Sequence, residues 1–459
     1  MAALQQIKHI IVLFLENRSF DHMLGTFNGI YKTLEGVSPN HQNSDGSPPA
    51  YTQVPGAARV LANDPFHENS DVLEQLRDNN GRFVENYASH YPSSSREERA
   101  EILKYHAIDV NDPTKDALPA LHTLARNFTI CDHWFASVPG PTWTNRLFAM
   151  SGTSLGRVKM ANGLFDLNLH WYDQKTIFDR LNERNIDWRV YYGDFPLSFL
   201  LVHQWEPKNA VRHLPMNQFH LDTNGDADKF PPFCFIEPSY LPPGANDDHP
   251  PHDILEGEAL IASVYNAIRA NDPLWESTLF VILFDEHGGL YDHVSPPAAI
   301  PPDLHQEEYT FDRFGVRVPA LLISRFLKSG VLSETFDHTS LLRLAVEKWD
   351  LGPLGNRTSQ AHTFIDKFSP TPVNTSAPKA ISSVPASISP IRPSSQIRLS
   401  DHQLALFALS HALEAMSDVQ PNVIATRAAN VLSGIHSQVD AMVDRLEDFL
   451  THSKAKLNA

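Results

Sequence analysis

Four side chains of this 459-residue chain stand in two adjacent pairs, each directly behind an apolar run: Glu16-Asn17 after Ile10–Leu15, and Asp285-Glu286 after Leu279–Phe284. Carboxylate and amide oxygens are hard ligands, suited to Mg²⁺, Ca²⁺ or Mn²⁺. A cation so held lowers the pKa of a coordinated hydroxyl and polarises a phosphoryl oxygen. Phosphoryl chemistry also needs a nucleophile and fixed donors for the remaining oxygens. Thr142, in the Pro-broken stretch Ser137–Arg146, offers a hydroxyl, with Asn145 and Arg146 beside it. His67, His249 and His252 offer donors in polar loops. Taken singly, each has a plainer reading. Glu16 can end a strand in a salt bridge, Asp285 and Glu286 can cap a helix, and Thr142 can be a turn residue. One histidine among 23 is most often a surface or core residue. Spacing alone does not assemble these groups; a fold must.

Both apolar runs are short and rich in β-branched and aromatic residues, as buried strands are. In open α/β sheets, ligands sit outside the carboxyl ends of such strands. Further strands are expected at Thr129–Phe135, Trp188–Tyr192, Pro232–Ile236 and Val318–Ser324. Helical spacing marks Arg96–Tyr105, Leu118–Phe128, a segment restarting near Arg146, Lys175–Asn185, and a long helix to Asn271 capped by Asp253 with Glu256. This alternation predicts an α/β fold, a mainly parallel sheet sandwiched by helices.

Residues 1–368 are read as one catalytic domain. Within it, about 26–95 form an irregular Pro-, Asn-, Ser- and Gly-rich insertion with a short helix near Val72–Leu76. A Pro/Ser-rich linker spans 369–398, and 399–459 form a helical C-terminal extension. There, Ser400 with Gln403 has the capping-box pattern. Val431, Leu432, Ile435, Val439, Met442, Val443, Leu446, Phe449 and Leu450 fall on one helical stripe. The stripe is expected to dock on its own domain. A homo-oligomer seam and a transient membrane-surface contact are the alternatives.

Composition removes several function classes. The formal charge of −17 and the lack of any compact basic run argue against nucleic acid, whose affinity depends on neutralising phosphates. Cys131 and Cys234 both lie in apolar settings and read as buried thiols, with no zinc spacing. No apolar run reaches the ~18 residues needed to span a bilayer. The N-terminus lacks a signal-peptide pattern, so a cytoplasmic protein, or a secreted one whose leader has been removed, is expected.

The motifs then converge. Glu16-Asn17-Arg18-Ser19-Phe20-Asp21-His22 with Gly25 resembles the first signature of the phosphoesterase family, which holds non-specific phospholipases C and certain bacterial acid phosphatases. Thr142-Trp143-Thr144-Asn145-Arg146 resembles its Thr-x-Pro-Asn-Arg signature, and Asp285-Glu286-x-x-Gly289-x-x-Asp292-His293-Val294-x-x-Pro297 matches its third. Gly315-x-Arg317-Val318-Pro319 matches the start of the fourth. Asp64-Pro-x-His67 and the loop Asn246–Asp253 look like the plant-type members. Thr144 departs from a proline, as does Arg325 at the end of the fourth signature.

The resemblance implies a fold similar to alkaline phosphatases, with one divalent metal ion (Ca, Mg or Mn) surrounded by Glu16, Asn17, Asp285, Glu286 and Thr142. It implies that Thr142 attacks phosphorus and forms a phosphothreonine, with His67 and His249 holding phosphoryl oxygens or protonating the leaving alkoxide. Thr144, which would share a face with Thr142 in an extended segment, is a second candidate nucleophile. Phospholipase C activity is the leading expectation and acid phosphatase activity on soluble monoesters the alternative. A catalytically dead lipid-binding module is a third, minor one. Sulfatase activity is disfavoured, because nothing resembles the Cys-x-Pro-x-Arg sequence of that family.

Overall fold

The computed structural model describes residues 2–160, 172–383, 400–417 and 435–458. Eight strands form the central sheet: β1 (His9–Leu15), β2 (Thr129–Cys131), β3 (Trp188–Tyr192), β4 (His213–Pro215), β5 (Phe233–Glu237), β6 (Thr278–Phe284), β7 (Ala320–Ile323) and β8 (Gly330–Leu332). Their order is β8-β2-β7-β6-β1-β5-β3-β4. All neighbours run parallel except β7, which is antiparallel to both β6 and β2. Every residue of β1 and β6 is buried, so both faces of the sheet are covered and the apolar runs need no polar alternation. Helices lie on both sides, as the strand–helix alternation predicted.

The register does the positioning. Residues His9 to Leu15 pair in step with Thr278 to Phe284, so Glu16 and Asp285 leave the sheet side by side. Glu237, the last residue of β5, flanks them on the other edge of β1.

Three expected elements differ. The strand expected over Thr129–Phe135 is two: β2 ends at Cys131, and Trp134–Phe135 pairs separately with Phe336–Asp337. The helix expected over Arg96–Tyr105 ends at Ala100, and Lys104–Tyr105 pairs with Val54–Pro55. The helix expected near Arg146 starts earlier, at Thr142, with Pro141 as its N-cap. Among the longer helices, α1 (Pro119–Asn127), α2 (Thr142–Ser151), α3 (Ile254–Ala270) and α4 (His338–Trp349) precede residue 369. The insertion has its own small core, in which Val72, Leu76, Phe83 and Val84 meet Leu290 and Tyr291.

In the C-terminal region, α5 (Asp401–Ala415) carries the expected capping box of Ser400 and Gln403. It packs on α6 (Ile435–Asn458). Met442, Leu446 and Phe449 join the main core, and Phe449 meets Phe199 edge-on at 5.4 Å. Each such side chain contributes about 1.5–3 kcal/mol by leaving water. The described apolar face of α6 thus packs on its own chain, the arrangement expected of the stripe, and nothing among the described residues supports the alternative of a homo-oligomer seam. Val431 and Leu432 lie outside the described residues. The linker up to residue 383 runs along α3, where the Tyr265 hydroxyl donates to Pro378 O at 2.6 Å and Asn266 pairs with Ile381. Among the described residues, no helix is long and apolar enough to cross a membrane.

Candidate active site

The two strand ends meet as the sequence suggested. Asn17 has φ 57°, a left-handed conformation that asparagine tolerates better than most residues. In that bend its backbone N–H donates to Asp285 Oδ1 at 3.1 Å, and Arg18 N–H donates to Glu286 O at 3.0 Å. The crossing loop passes so close that a Cβ at Gly288 would lie 2.3 Å from Asn17 O. Only glycine fits there, at φ +63°. Behind Asp285, the buried His338 contacts its carbonyl oxygen at 2.7 Å through Nε2.

Thr142 is the first residue of α2. Its hydroxyl donates to Asn17 Oδ1 at 3.3 Å. The first N–H groups of a helix lack intrahelical partners and carry partial positive charge, so the nucleophile candidate sits where an anion is favoured. Asn145 holds this turn in place: its Oδ1 accepts from Val138 N–H, and its Nδ2 donates to the carbonyls of Val138, Gly140 and Pro141. Those bonds occupy its amide with the loop, a positioning role. Thr144 contacts Arg157 O at 3.4 Å instead. In a helix, residues two apart diverge by about 200°, so the shared face expected for an extended segment does not exist.

Arg146 lies fully buried beneath the carboxylates. Its guanidinium is 3.2 Å from Glu16, 3.3 Å from Asp285 and 3.7 Å from Glu237, and it also donates to Phe14 O. With these partners and the rings of Phe14 and Tyr240 around it, it organises the acids rather than facing an open site.

His67 and His249 enter from the opposite side. The Nδ1 of each contacts a backbone carbonyl, Pro65 O at 2.7 Å and Pro250 O at 2.5 Å, which leaves both Nε2 atoms facing inward. His67 Nε2 is 3.2 Å from Asn17 Nδ2 and 3.9 Å from Glu286 Oε1. His249 Nε2 is 3.8 Å from Asp64, whose other oxygen lies 4.0 Å from His67. His252 stands one step back, bonded to Asp247 at 2.6 Å, whose backbone carbonyl accepts from Glu16 N–H.

Burial works against charge throughout, and neighbours decide the outcome. Burial and then the charge of Glu16 push the Asp285 carboxyl up to about 8; burial outweighs His67 and pushes Glu286 up to about 7. Burial would raise Glu16 as well, yet His402 and Arg146 hold it at about 2. Burial lowers His67, but Glu286 and Asp64 overcome it and raise the ring to about 10; His249 is pushed well below the usual histidine range by burial. A protonated His67 at Nε2 calls for the Asn17 amide to present its oxygen. The neutral ring accepts from the nitrogen, the arrangement in which Asn17 Oδ1 is left to accept from Thr142.

Glu16 has ion-pair contacts to Arg146 and His402 but no well-aligned hydrogen bond, and the buried Glu286 Oε1 receives none. Buried carboxylate oxygens without donors suit a cation. Glu16, Asn17, Asp285 and Glu286 stand at two adjacent strand ends with oxygen ligands of the kind a hard divalent ion takes, and beside them Asp64, His67 and His249 bring ligand atoms within 4.8 Å of one another.

The largest surprise is His402 of α5. Its Nδ1 is 3.3 Å from Glu16 Oε2, and the neighbouring Gln403 donates to Tyr240 O and reaches His252. Sequence reasoning missed His402, His338 and Glu237. Asp64 was visible only as part of the Asp64-Pro-x-His67 spacing.

Comparison with known proteins shows the family. The sequence profile of the Phosphoesterase family matches residues 7–352. The chain is 34% identical to non-specific phospholipase C3 of Arabidopsis thaliana, over 73% of this chain and 68% of that protein. It is 34% identical to non-specific phospholipase C6 of the same plant, over 79% and 72%. With phospholipase C B of Mycobacterium tuberculosis it shares 27% identity, over 78% and 75%. Among solved structures, a protein in the alkaline phosphatase superfamily from Vibrio parahaemolyticus aligns at 12% identity and a TM-score of 0.34, over 56% of this chain and 68% of that one.

Proposed function

The chain belongs to the phosphoesterase family and is a phosphoric ester hydrolase, and on that premise we propose that it is a metal-dependent non-specific phospholipase C working through a phosphothreonine at Thr142. The observation that carries this reading is the Thr142 hydroxyl, seated at a helix N-terminus and bonded to Asn17 on the rim of the carboxylate cluster.

The reaction divides into two displacements. The Thr142 Oγ1 attacks phosphorus as its proton passes to the neutral His249 Nε2, the bond from phosphorus to the glycerol oxygen breaks, and diacylglycerol leaves with a proton from His67 Nε2. His67 is placed for this, since Glu286 and Asp64 both favour its proton-bearing form. The first N–H groups of α2 face the phosphoryl oxygens of the bound ester. Water then attacks the phosphothreonine, giving up a proton to the now neutral His67, and the bond from phosphorus to Thr142 Oγ1 breaks as His249 returns its proton to that oxygen and the phosphorylated head group leaves. A divalent ion held by Glu16, Asn17, Asp285 and Glu286 would lower the pKa of the Thr142 hydroxyl and offset charge on phosphorus.

Thr142 is only 1% exposed, and that depth favours a second reading, an acid phosphatase for small soluble monoesters. The names of the relatives favour the lipase. Rates on phosphatidylcholine in mixed micelles and on p-nitrophenyl phosphate separate the two. Release of diacylglycerol at a kcat/KM equal to or above that for the soluble ester is expected; preference for the soluble ester by orders of magnitude would overturn the lipase reading.

A further inference from the structure

We propose that Asp64, His67 and His249 form a second cation site, taking a transition-metal dication of the Zn²⁺ type, and that an ion bound there inhibits hydrolysis. The inhibition rests on the proton-transfer roles proposed for the two histidines; the site itself does not.

Two loops bring the donors together, Asp64 and His67 from the insertion and His249 from the loop after β5. One ligand atom from each of the three lies within 4.8 Å of the other two. His249 Nε2 stands 3.8 Å from Asp64 Oδ2, too far for a hydrogen bond. Two ligands about 2.1 Å from one tetrahedral ion are about 3.4 Å apart, so a small side-chain rotation closes this pair onto a metal.

The rings are already aimed. His67 Nδ1 contacts Pro65 O and His249 Nδ1 contacts Pro250 O, and a carbonyl can only accept. Both rings therefore donate at Nδ1 and turn Nε2 toward the gap, the way outer carbonyls orient metal-binding histidines. The loops are fixed in turn. The Tyr91 hydroxyl donates to Asp64 O at 2.7 Å, and Gln75 Nε2 donates to Phe66 O at 2.8 Å. His249 N–H donates to Asp247 Oδ1 at 3.0 Å, and His252 N–H to His249 O at 2.8 Å.

Two imidazoles and one carboxylate are the donor set of open zinc sites, which keep a fourth position for water. Glu286 Oε1 is buried, receives no hydrogen bond and lies 3.9 Å from His67 Nε2, so it is placed to accept from such a water. Imidazole selects Zn²⁺, Cu²⁺ or Ni²⁺, whereas the oxygens of Glu16, Asn17 and Asp285 suit harder ions. An ion on both Nε2 atoms replaces the proton that His67 gives and blocks the lone pair with which His249 accepts one. Turnover then stops at the first displacement, with Thr142 and the strand-end acids still in place.

The test uses the full chain, saturated with whichever of Mg²⁺, Ca²⁺ or Mn²⁺ supports hydrolysis of p-nitrophenyl phosphate, and titrated with Zn²⁺. The rate should fall by about 10²-fold or more, as for loss of acid–base catalysis, and a large excess of the first metal should not restore it. Asp64→Asn, judged against its own zinc-free rate, should raise the Zn²⁺ concentration for half-inhibition by at least the about tenfold that loss of an outer partner costs. Calorimetry and Co²⁺ absorption read the site without turnover. The wild type should bind one more equivalent of Zn²⁺ than His249→Ala or Asp64→Asn, and the visible bands of bound Co²⁺ should weaken in both variants. Asp64→Asn keeps the shape of the side chain, so it reports even where His249→Ala fails to fold. Equal Zn²⁺ stoichiometry across the three proteins, or recovery of the rate in excess first metal, would overturn the proposal. Zinc bound at full hydrolytic rate would overturn the inhibition and the proton roles of the histidines. Absence of hydrolysis with every metal would strike the proposed function instead, while calorimetry still decided the site.

Discussion

His402 Nδ1 stands 3.3 Å from Glu16 Oε2, so a helix near the C-terminus closes the end of the first strand. The contact lies beyond residue 352, where the family match ends. His402 helps hold the Glu16 carboxyl ionised at about 2, and its helix is fixed by the packing of Leu406, Leu409 and Leu413 in the core. His402→Ala should leave the fold intact and lower metal affinity or kcat by about 10–100-fold, as loss of an outer-shell partner does. Metal titration and steady-state rates on the same sample check this; values within twofold of wild type would show that the helix only covers the site.

Some of this was legible from sequence because burial imposes a pattern. β1 and β6 are covered on both faces, so they read as unbroken apolar runs, and the acids at their ends stood out. The sense of β7 was not legible, since an apolar strand reads the same in either direction. The start of α2 at Thr142 was hidden by Pro139 and Pro141, which read as loop although proline also caps helices. His402 gave no signal: a linker separates it from the catalytic domain, and only the folded chain brings it to Glu16.

Arg146 offsets three buried carboxylates at once. Removing one partner of such a network leaves uncompensated charge in the interior, at about 3–5 kcal/mol. Arg146→Met should therefore lower the metal-free unfolding free energy by that amount. Arg146→Lys should fall between the two, because an ammonium cannot span the same fork. Urea unfolding in EDTA measures both, and a change below about 1 kcal/mol for Arg146→Met would mean that the acids are protonated there anyway.

The acids also tie metal binding to pH. In the metal-free protein, burial and then Glu16 raise Asp285 to about 8, and burial raises Glu286 to about 7. Raised carboxyls keep protons that the unfolded chain releases near pH 4, so the stability of the metal-free protein falls as pH rises from about 4 to 8. A divalent ion must displace those protons. Binding at pH 6 should release about two protons per ion and at pH 9 almost none, with affinity rising between. Glu16, at about 2, adds nothing in this range. Calorimetry in buffers of different ionisation enthalpy counts the protons; a count independent of pH would refute the coupling.

Thr142 carries the proposed covalent step, and Thr142→Ser with the neighbouring Thr144→Ala supplies the controls. Thr142→Ala removes the only hydroxyl that reaches Asn17 from this helix, and the N-terminal turn remains tied by the four bonds of Asn145. Turnover should fall by about 10⁴-fold or more, as for loss of a nucleophile elsewhere, with little change in melting temperature. Thr142→Ser restores a hydroxyl on the same backbone and should recover all but about 10–100-fold of the rate. Thr144→Ala breaks only the contact to Arg157 O and should leave the chemistry near wild type. Acid quenching of the wild-type enzyme during turnover, followed by peptide mass analysis, should find one added phosphoryl group on the peptide that holds residue 142. A Thr142→Ala enzyme within tenfold of wild type, or a phosphoryl group on residue 144, would move the nucleophile elsewhere, because helical geometry turns those two hydroxyls to opposite sides.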